Sequence, residues 1–310
     1  MPARVLFAPT AEEDRYLPEG PRAVRVGGRD ALSWVNIQTG PNAAAGAIHL
    51  RFWDTGERRK VALPARPGFA FPTDAPDTLF VGLEKAVGTL NLASGVWTPY
   101  AKIADTNPRT IINDGEIVPG GRAVVFGTKD TKFADTIAEL YLFTLPDGRI
   151  AKLAGGQTCS NGKVIRARAD GRCDLFDIDT PTKKVVRYTL DVAARSVDVP
   201  TTVIDLTQEP AYPDGMCDDG SGGFLIAFYN PHRGGDGAVR RFDAHGTQID
   251  EWLIPGSPRV TCPARVGRML VLTTANEGMP AEQRAASPDA GSLFVFDIGL
   301  PAGAAEVVRL

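Results

Sequence analysis

Four short motifs set an acid or an amide beside a glycine: Glu19-Gly20, Asn113-Asp114-Gly115, Asn161-Gly162 and Asp214-Gly215. Asn113 to Asn161 is 48 residues and Asn161 to Asp214 is 53, while Glu19 to Asn113 is 94, near twice that step. Thr261-Cys262-Pro263 falls a comparable step further on. Oxygen-bearing side chains that recur once per structural repeat tend to meet at the axis of the repeats. Glu19, Asn161 and Asp214 would bring two carboxylates and an amide oxygen there, a hard-donor set that suits calcium, magnesium or manganese better than zinc or copper. Three protein ligands leave positions open to water and substrate, and an open metal site polarises a carbonyl. Asp214 has one oxygen for the metal and one for a proton, so ester or lactone hydrolysis is the predicted chemistry.

Asn-Gly and Asp-Gly also make hairpin turns. Asp147-Gly148, Asp170-Gly171 and Asp236-Gly237 read that way. The four motifs differ because each lies 11 to 14 residues ahead of the marker residue of a repeated strand signal. Those signals are ALSWVNI (31–37), TLFVGL (78–83), AVVFGT (123–128), CDLFDI (173–178), GFLIAFY (223–229) and RMLVLTT (268–274). Their markers Leu32, Leu79, Val124, Leu175, Leu225 and Leu270 are 45 to 51 residues apart. A second strand family follows at 47–53, 88–94, 138–145, 184–190, 238–244 and 292–298, much of it alternating apolar with polar. Only 279–287 suggests a helical turn.

Six units of this size with several strands each predict an all-β, six-bladed β-propeller with a metal in the central channel. Residues 1–310 are read as one propeller domain, with an N-terminal strand at about 3–8 closing the last blade. The motifs are expected at the start of the innermost strands, at one mouth of the channel, where glycine lets backbones pack closely. The four tryptophans are expected to pack between blades.

Net charge is −3 with 23% charged residues, and no basic stripe suggests nucleic acid. Arg58-Arg59-Lys60 and Lys183-Lys184 are expected on solvated turns. No apolar run approaches the roughly 18 residues that span a membrane. The N-terminal stretch has no secretory pattern, so a cytoplasmic protein, monomeric or weakly self-associating, is expected. Cys159, Cys173, Cys217 and Cys262 form no C-x-x-C pair, and His49, His232 and His245 are scattered, which gives little support to a Cys/His zinc site. His232 reads as a solvated loop residue.

The motifs resemble the family of senescence marker protein (regucalcin), gluconolactonase and luciferin-regenerating enzyme. The likeness runs through Gly20-Pro21-Arg22, INDGEIVPGGRAVVFGTKD (112–130), SNGKVIRARADGRCDLFDIDTPTKKVVRYTLD (160–191), PDGMCDDGSGGFLIAFYN (213–230), TCPARVGRMLVLTTANEGM (261–279) and AGSLFVFDIG (290–299). It implies a six-bladed propeller holding one divalent metal through Glu19, Asn161 and Asp214. Calcium is the first expectation, with manganese, magnesium and zinc as alternatives. It further implies Asp214 as the general base, Asn113 as a substrate contact and a lactone as substrate. Many sugar lactonases of the family have an Arg two residues before the Asn of N-D-G, where this chain has Ile111. Arg109 is the nearby substitute for substrate binding. The loop 229–237 is longer and more polar than the tight turn common there, and is expected to narrow the channel mouth. Both departures point away from simple gluconolactone specificity, toward a less polar lactone. Competing readings are a phosphotriesterase-like hydrolase of the same fold and a non-catalytic calcium-binding propeller.

Overall fold

The computed structural model describes residues 3–303 and 306–310. They form six antiparallel sheets arranged as a six-bladed β-propeller. Blade 1 runs from Pro18–Val26 through Arg29–Asn36 and Ala47–Phe52 to Arg58–Ala62. The first strands of blades 2 to 6 are Pro67–Pro72, Thr110–Ile117, Ser160–Ala167, Tyr212–Asp218 and Val260–Val266. These six strands touch one another in ring order, and the sixth returns to the first, so they line the axis. The ring is closed by Arg4–Phe7, which pairs antiparallel with Leu293–Asp297 as the outermost strand of blade 6.

Each repeat marker lies on the second strand of its blade. Leu32, Leu79, Val124, Leu175, Leu225 and Leu270 are at most 1% exposed. Such strands are covered on both faces by neighbouring blades, which is why they read as apolar runs rather than as alternation. The core is accordingly divided into layers between blades. Phe69, Phe80, Phe126 and Phe143 fill the layer between blades 2 and 3, and Ile178, Met216 and Phe224 that between blades 4 and 5. Leu32, Trp34, Val271 and Leu293 bind blade 6 to blade 1. Burying one such side chain is worth about 1.5–3 kcal/mol.

Of the tryptophans only Trp34 is fully buried, and Trp53 is exposed at a strand end. Arg58, Arg59 and Lys60 lie on the outer strand of blade 1 and not on a turn. An outer strand has one solvated edge and one solvated face, and charge there discourages edge-to-edge pairing. The expected helical turn is present as Ala281–Ala285.

His49 stacks on Trp34 with ring centroids 5.2 Å apart and lies 3.6 Å from Asp14. Burial outweighs that carboxylate and lowers its pKa to about 4. A depressed histidine stabilises the fold in its neutral form. That contribution is complete above the unfolded value near 6.5 and is lost as pH falls toward 4. At about 1.4 kcal/mol per pH unit, full protonation costs about 3 kcal/mol. Urea unfolding from pH 7 to 4 should therefore show a stability decline that His49→Phe, which keeps a ring on Trp34, removes in large part. Parallel curves for the two proteins would disprove this role.

Candidate active site at one mouth of the channel

Glu19, Asn113, Asn161 and Asp214 all lie near the beginning of inner strands, in blades 1, 3, 4 and 5. All four line one cavity of about 390 Å³. Two larger clefts, of about 730 and 470 Å³, contain none of these groups. A shared local device turns the four side chains to the axis. In every blade the pairing of first and second strands slips at this level: between Glu19 and Arg22, Ile112 and Gly115, Asn161 and Lys163, and Pro213 and Met216. The slips at Pro67/Phe69 and Val260/Pro263 complete the set. A bulge breaks the alternation of a strand and re-aims one side chain. Blade 2 presents only Gly68 at this level, and Thr261 of blade 6 is committed to the Pro18 carbonyl at 2.7 Å.

The glycines serve two purposes. A Cβ on Gly162 would stand 2.4 Å from the Met216 nitrogen, and one on Gly215 would stand 2.7 Å from the Cys262 Cα. These positions allow inner strands to crowd around the axis, as expected. Gly20 has open space around it but a φ of +53°, so there glycine serves backbone conformation.

The amides are held in defined orientations. Asn161 Nδ2 donates to Thr180 Oγ1 at 2.7 Å, and that hydroxyl donates in turn to the Pro213 carbonyl at 3.0 Å. Because Thr180 spends its proton on a carbonyl, it can only accept from Asn161, which fixes which end of the amide is oxygen. Asn113 Nδ2 donates to the Ser160 carbonyl at 3.0 Å and to Asn161 Oδ1 at 2.8 Å. Behind Asn161, Lys163 Nζ donates to the Asn161 carbonyl at 2.7 Å and pairs with Asp177 at 3.1 Å, both side chains fully buried.

The carboxylates are not neutralised in this way. Glu19 accepts only from the adjacent Gly20 nitrogen among the described residues. Its pKa is raised well above the usual range, first by burial and then by Asp214 and Asp114. Asp214 is raised likewise, by burial and then by Asp114. Two buried carboxylates facing one cavity, with two oriented amides beside them, form an oxygen-donor set that fits a hard divalent cation. No group of three His, Cys, Asp or Glu side chains disposed to hold a metal occurs among the described residues, so the amide oxygen is needed to complete the set.

The structure does not bring Arg109 to this cavity. Its guanidinium pairs with both oxygens of buried Asp130 and with Asp135 at 2.8 Å. Sequence reasoning missed Lys129, Cys159, Thr180 and Glu277, all of which line the cavity. Lys129 lies directly opposite Ile111 in the strand pairing of blade 3. The apolar wall comprises Leu17, Ile37, Phe133, Tyr229 and Pro231. Pro231 comes from the 229–237 loop, while His232 packs by Tyr212 outside the lining. The four cysteines are free thiols, and burial pushes Cys159 well up from its ordinary range. No helix among the described residues is long and apolar enough to cross a membrane.

A family model described as the SMP-30/Gluconolactonase/LRE-like region matches residues 17–276. A putative sugar lactone lactonase, YvrE, from Bacillus subtilis is 33% identical over 185 residues, 59% of this chain and 60% of the relative. Regucalcin from Xenopus laevis is 29% identical over 205 residues, 64% of this chain and 65% of the relative. The chain therefore spans about three fifths of the length of these curated relatives. A crystal structure of a calcium-binding protein, regucalcin, from Agrobacterium tumefaciens superposes with a TM-score of 0.82 at 24% identity, covering 98% of each chain. That likeness speaks to the fold.

Proposed function

The chain belongs to the SMP-30/gluconolactonase/LRE-like family, and from that premise we propose that it is a divalent-metal-dependent lactonase. The observation that carries this reading is the convergence of Glu19, Asn161 and Asp214 on one cavity, with two buried carboxylates that form no ion pair within 4.0 Å among the described residues. These three residues would hold the cation, calcium first among the candidates. When bound, the cation supplies a Lewis acid for the lactone carbonyl.

The protein's own residues do the rest. An Asp214 carboxylate oxygen takes a proton from the attacking water as its oxygen bonds to the carbonyl carbon. The ring C–O bond then breaks, and Asp214 passes the proton it took to the departing ring oxygen, leaving a hydroxy acid and restoring the carboxylate. Asn113 has both amide hydrogens engaged, so its uncommitted oxygen is the atom offered to a substrate hydroxyl. Leu17, Ile37, Tyr229 and Pro231 exclude water from the ring. Arg109 has no place in this reading, since its guanidinium is used in folding the segment after Asp130.

The test is ring opening by metal-stripped protein, followed as acid release on a lactone panel, before and after reloading with calcium, manganese, magnesium or zinc. Turnover should appear only on reloading. Tight metal binding without opening any lactone would refute the reading and move weight to a binding-only propeller.

A further inference from the structure

Lys129 stands half-buried in the wall of the same cavity, on the second strand of blade 3. No hydrogen bond or ion pair engages its ammonium among the described residues. The neighbouring carboxylate that would compete for it, Asp130, is already saturated. Asp130 takes the Arg109 guanidinium with both oxygens, and the backbone nitrogens of Lys132, Ala134 and Asp135 at 2.9–3.0 Å. Glu277 lies on the segment after the second strand of blade 6 and lines the cavity too, yet forms no ion pair within 4.0 Å among the described residues. In a ring of six, blades 3 and 6 face each other across the axis. The cavity thus has an unpaired cation on one side and an unpaired carboxylate on the other.

A divalent cation held by Glu19 and Asp214 would balance those two carboxylates and leave Lys129 without an ion-pair partner on its side of the cavity. A neutral substrate filling the cavity would strip water from that ammonium and return at most a hydrogen bond to a neutral oxygen, with no opposite charge. An anionic group would replace the water with a charge-assisted hydrogen bond. Glu277 would repel the same group, so the anion has only one favourable end of the cavity.

We propose that Lys129 is the specificity-determining residue of this site, selecting lactones that carry a carboxylate substituent. The inference rests on the lactonase reading above.

The test uses matched lactones of one ring size, neutral and carboxylated, with metal-loaded wild type, Lys129→Met and Lys129→Arg. Wild type should favour the carboxylated lactone. Lys129→Met should reduce that preference roughly ten- to a hundredfold, mainly through KM, and Lys129→Arg should restore part of it. Titration calorimetry with the ring-opened hydroxy diacid gives a readout independent of turnover, and its affinity should fall by the same factor in Lys129→Met. Equal losses on both lactones, with unchanged diacid affinity, would overturn the role of Lys129 while leaving the lactonase reading intact. If wild type opens neither lactone, the lactonase reading fails. Diacid affinity that still depends on Lys129 would then support it as the anion-selecting residue, and affinity that does not would overturn that as well.

Discussion

Asp214→Asn is expected to lower lactone turnover by at least about 10³-fold, because one side chain serves both as cation ligand and as proton acceptor. The asparagine is nearly the same size, so the cavity should survive. The variant carries a second, opposite signature. In metal-free protein, Asp214 and Glu19 are buried carboxylates that share one cavity, and neither forms an ion pair within 4.0 Å among the described residues. Removing one charge relieves like-charge repulsion and desolvation. The metal-free variant should therefore melt higher than metal-free wild type, by roughly 2 °C or more, while gaining little on addition of metal. Differential scanning calorimetry with and without cation, run beside the activity assay, reads both effects. More than a tenth of wild-type turnover in Asp214→Asn would exclude it as base, and unchanged melting would contradict the electrostatic picture.

The second large effect concerns Lys163. Its ammonium is fully buried and held by Asp177, the Ser160 hydroxyl at 3.0 Å and the Asn161 carbonyl at 2.7 Å. Lys163→Met keeps the apolar stem and strands the Asp177 charge in a dry interior, with the Ser160 hydroxyl and Gln157 as its remaining donors. Breaking a buried pair from one side costs about 3–5 kcal/mol, whereas replacing both charges is often near neutral. Urea titrations should show Lys163→Met strongly destabilised and Lys163→Met with Asp177→Leu largely recovered, a coupling that a double-mutant cycle isolates. Additive losses would mean that the two residues act separately. Since the same ammonium grips the Asn161 backbone, both variants should also bind divalent metal more weakly than wild type.

The repeat was legible because it is a one-dimensional property. Six apolar runs at near-constant spacing became six second strands, and their marker residues are buried because both faces of those strands meet another blade. Glu19, Asn113, Asn161 and Asp214 were legible for the same reason, since their spacing matches that of the strands behind them. Arg109 shows where this reasoning stops. In sequence it stands four residues before Asn113, close enough to be offered as a substrate contact. In the fold its guanidinium turns to Asp130 and Asp135. Lys129 lies within 112–130 but carries no local signal of its role, because its place in the cavity wall follows from pairing opposite Ile111. Thr180 was equally silent, as its effect on Asn161 depends on a carbonyl 33 residues further along the chain.

The sequence by itself determined the architecture and the oxygen set: six units, their order, and an acid or amide with glycine at one level in four of them. Hydrophobic burial and backbone sterics act on local patterns, and such patterns are written along the chain. The tertiary structure alone decided where each of these side chains points. A register slip in every inner strand turns the donors to the axis, and such a slip is a relation between two strands that neither records singly. The charges left unpaired in the cavity were decided in the same way, because an ion pair belongs to two residues brought together only when the ring closes.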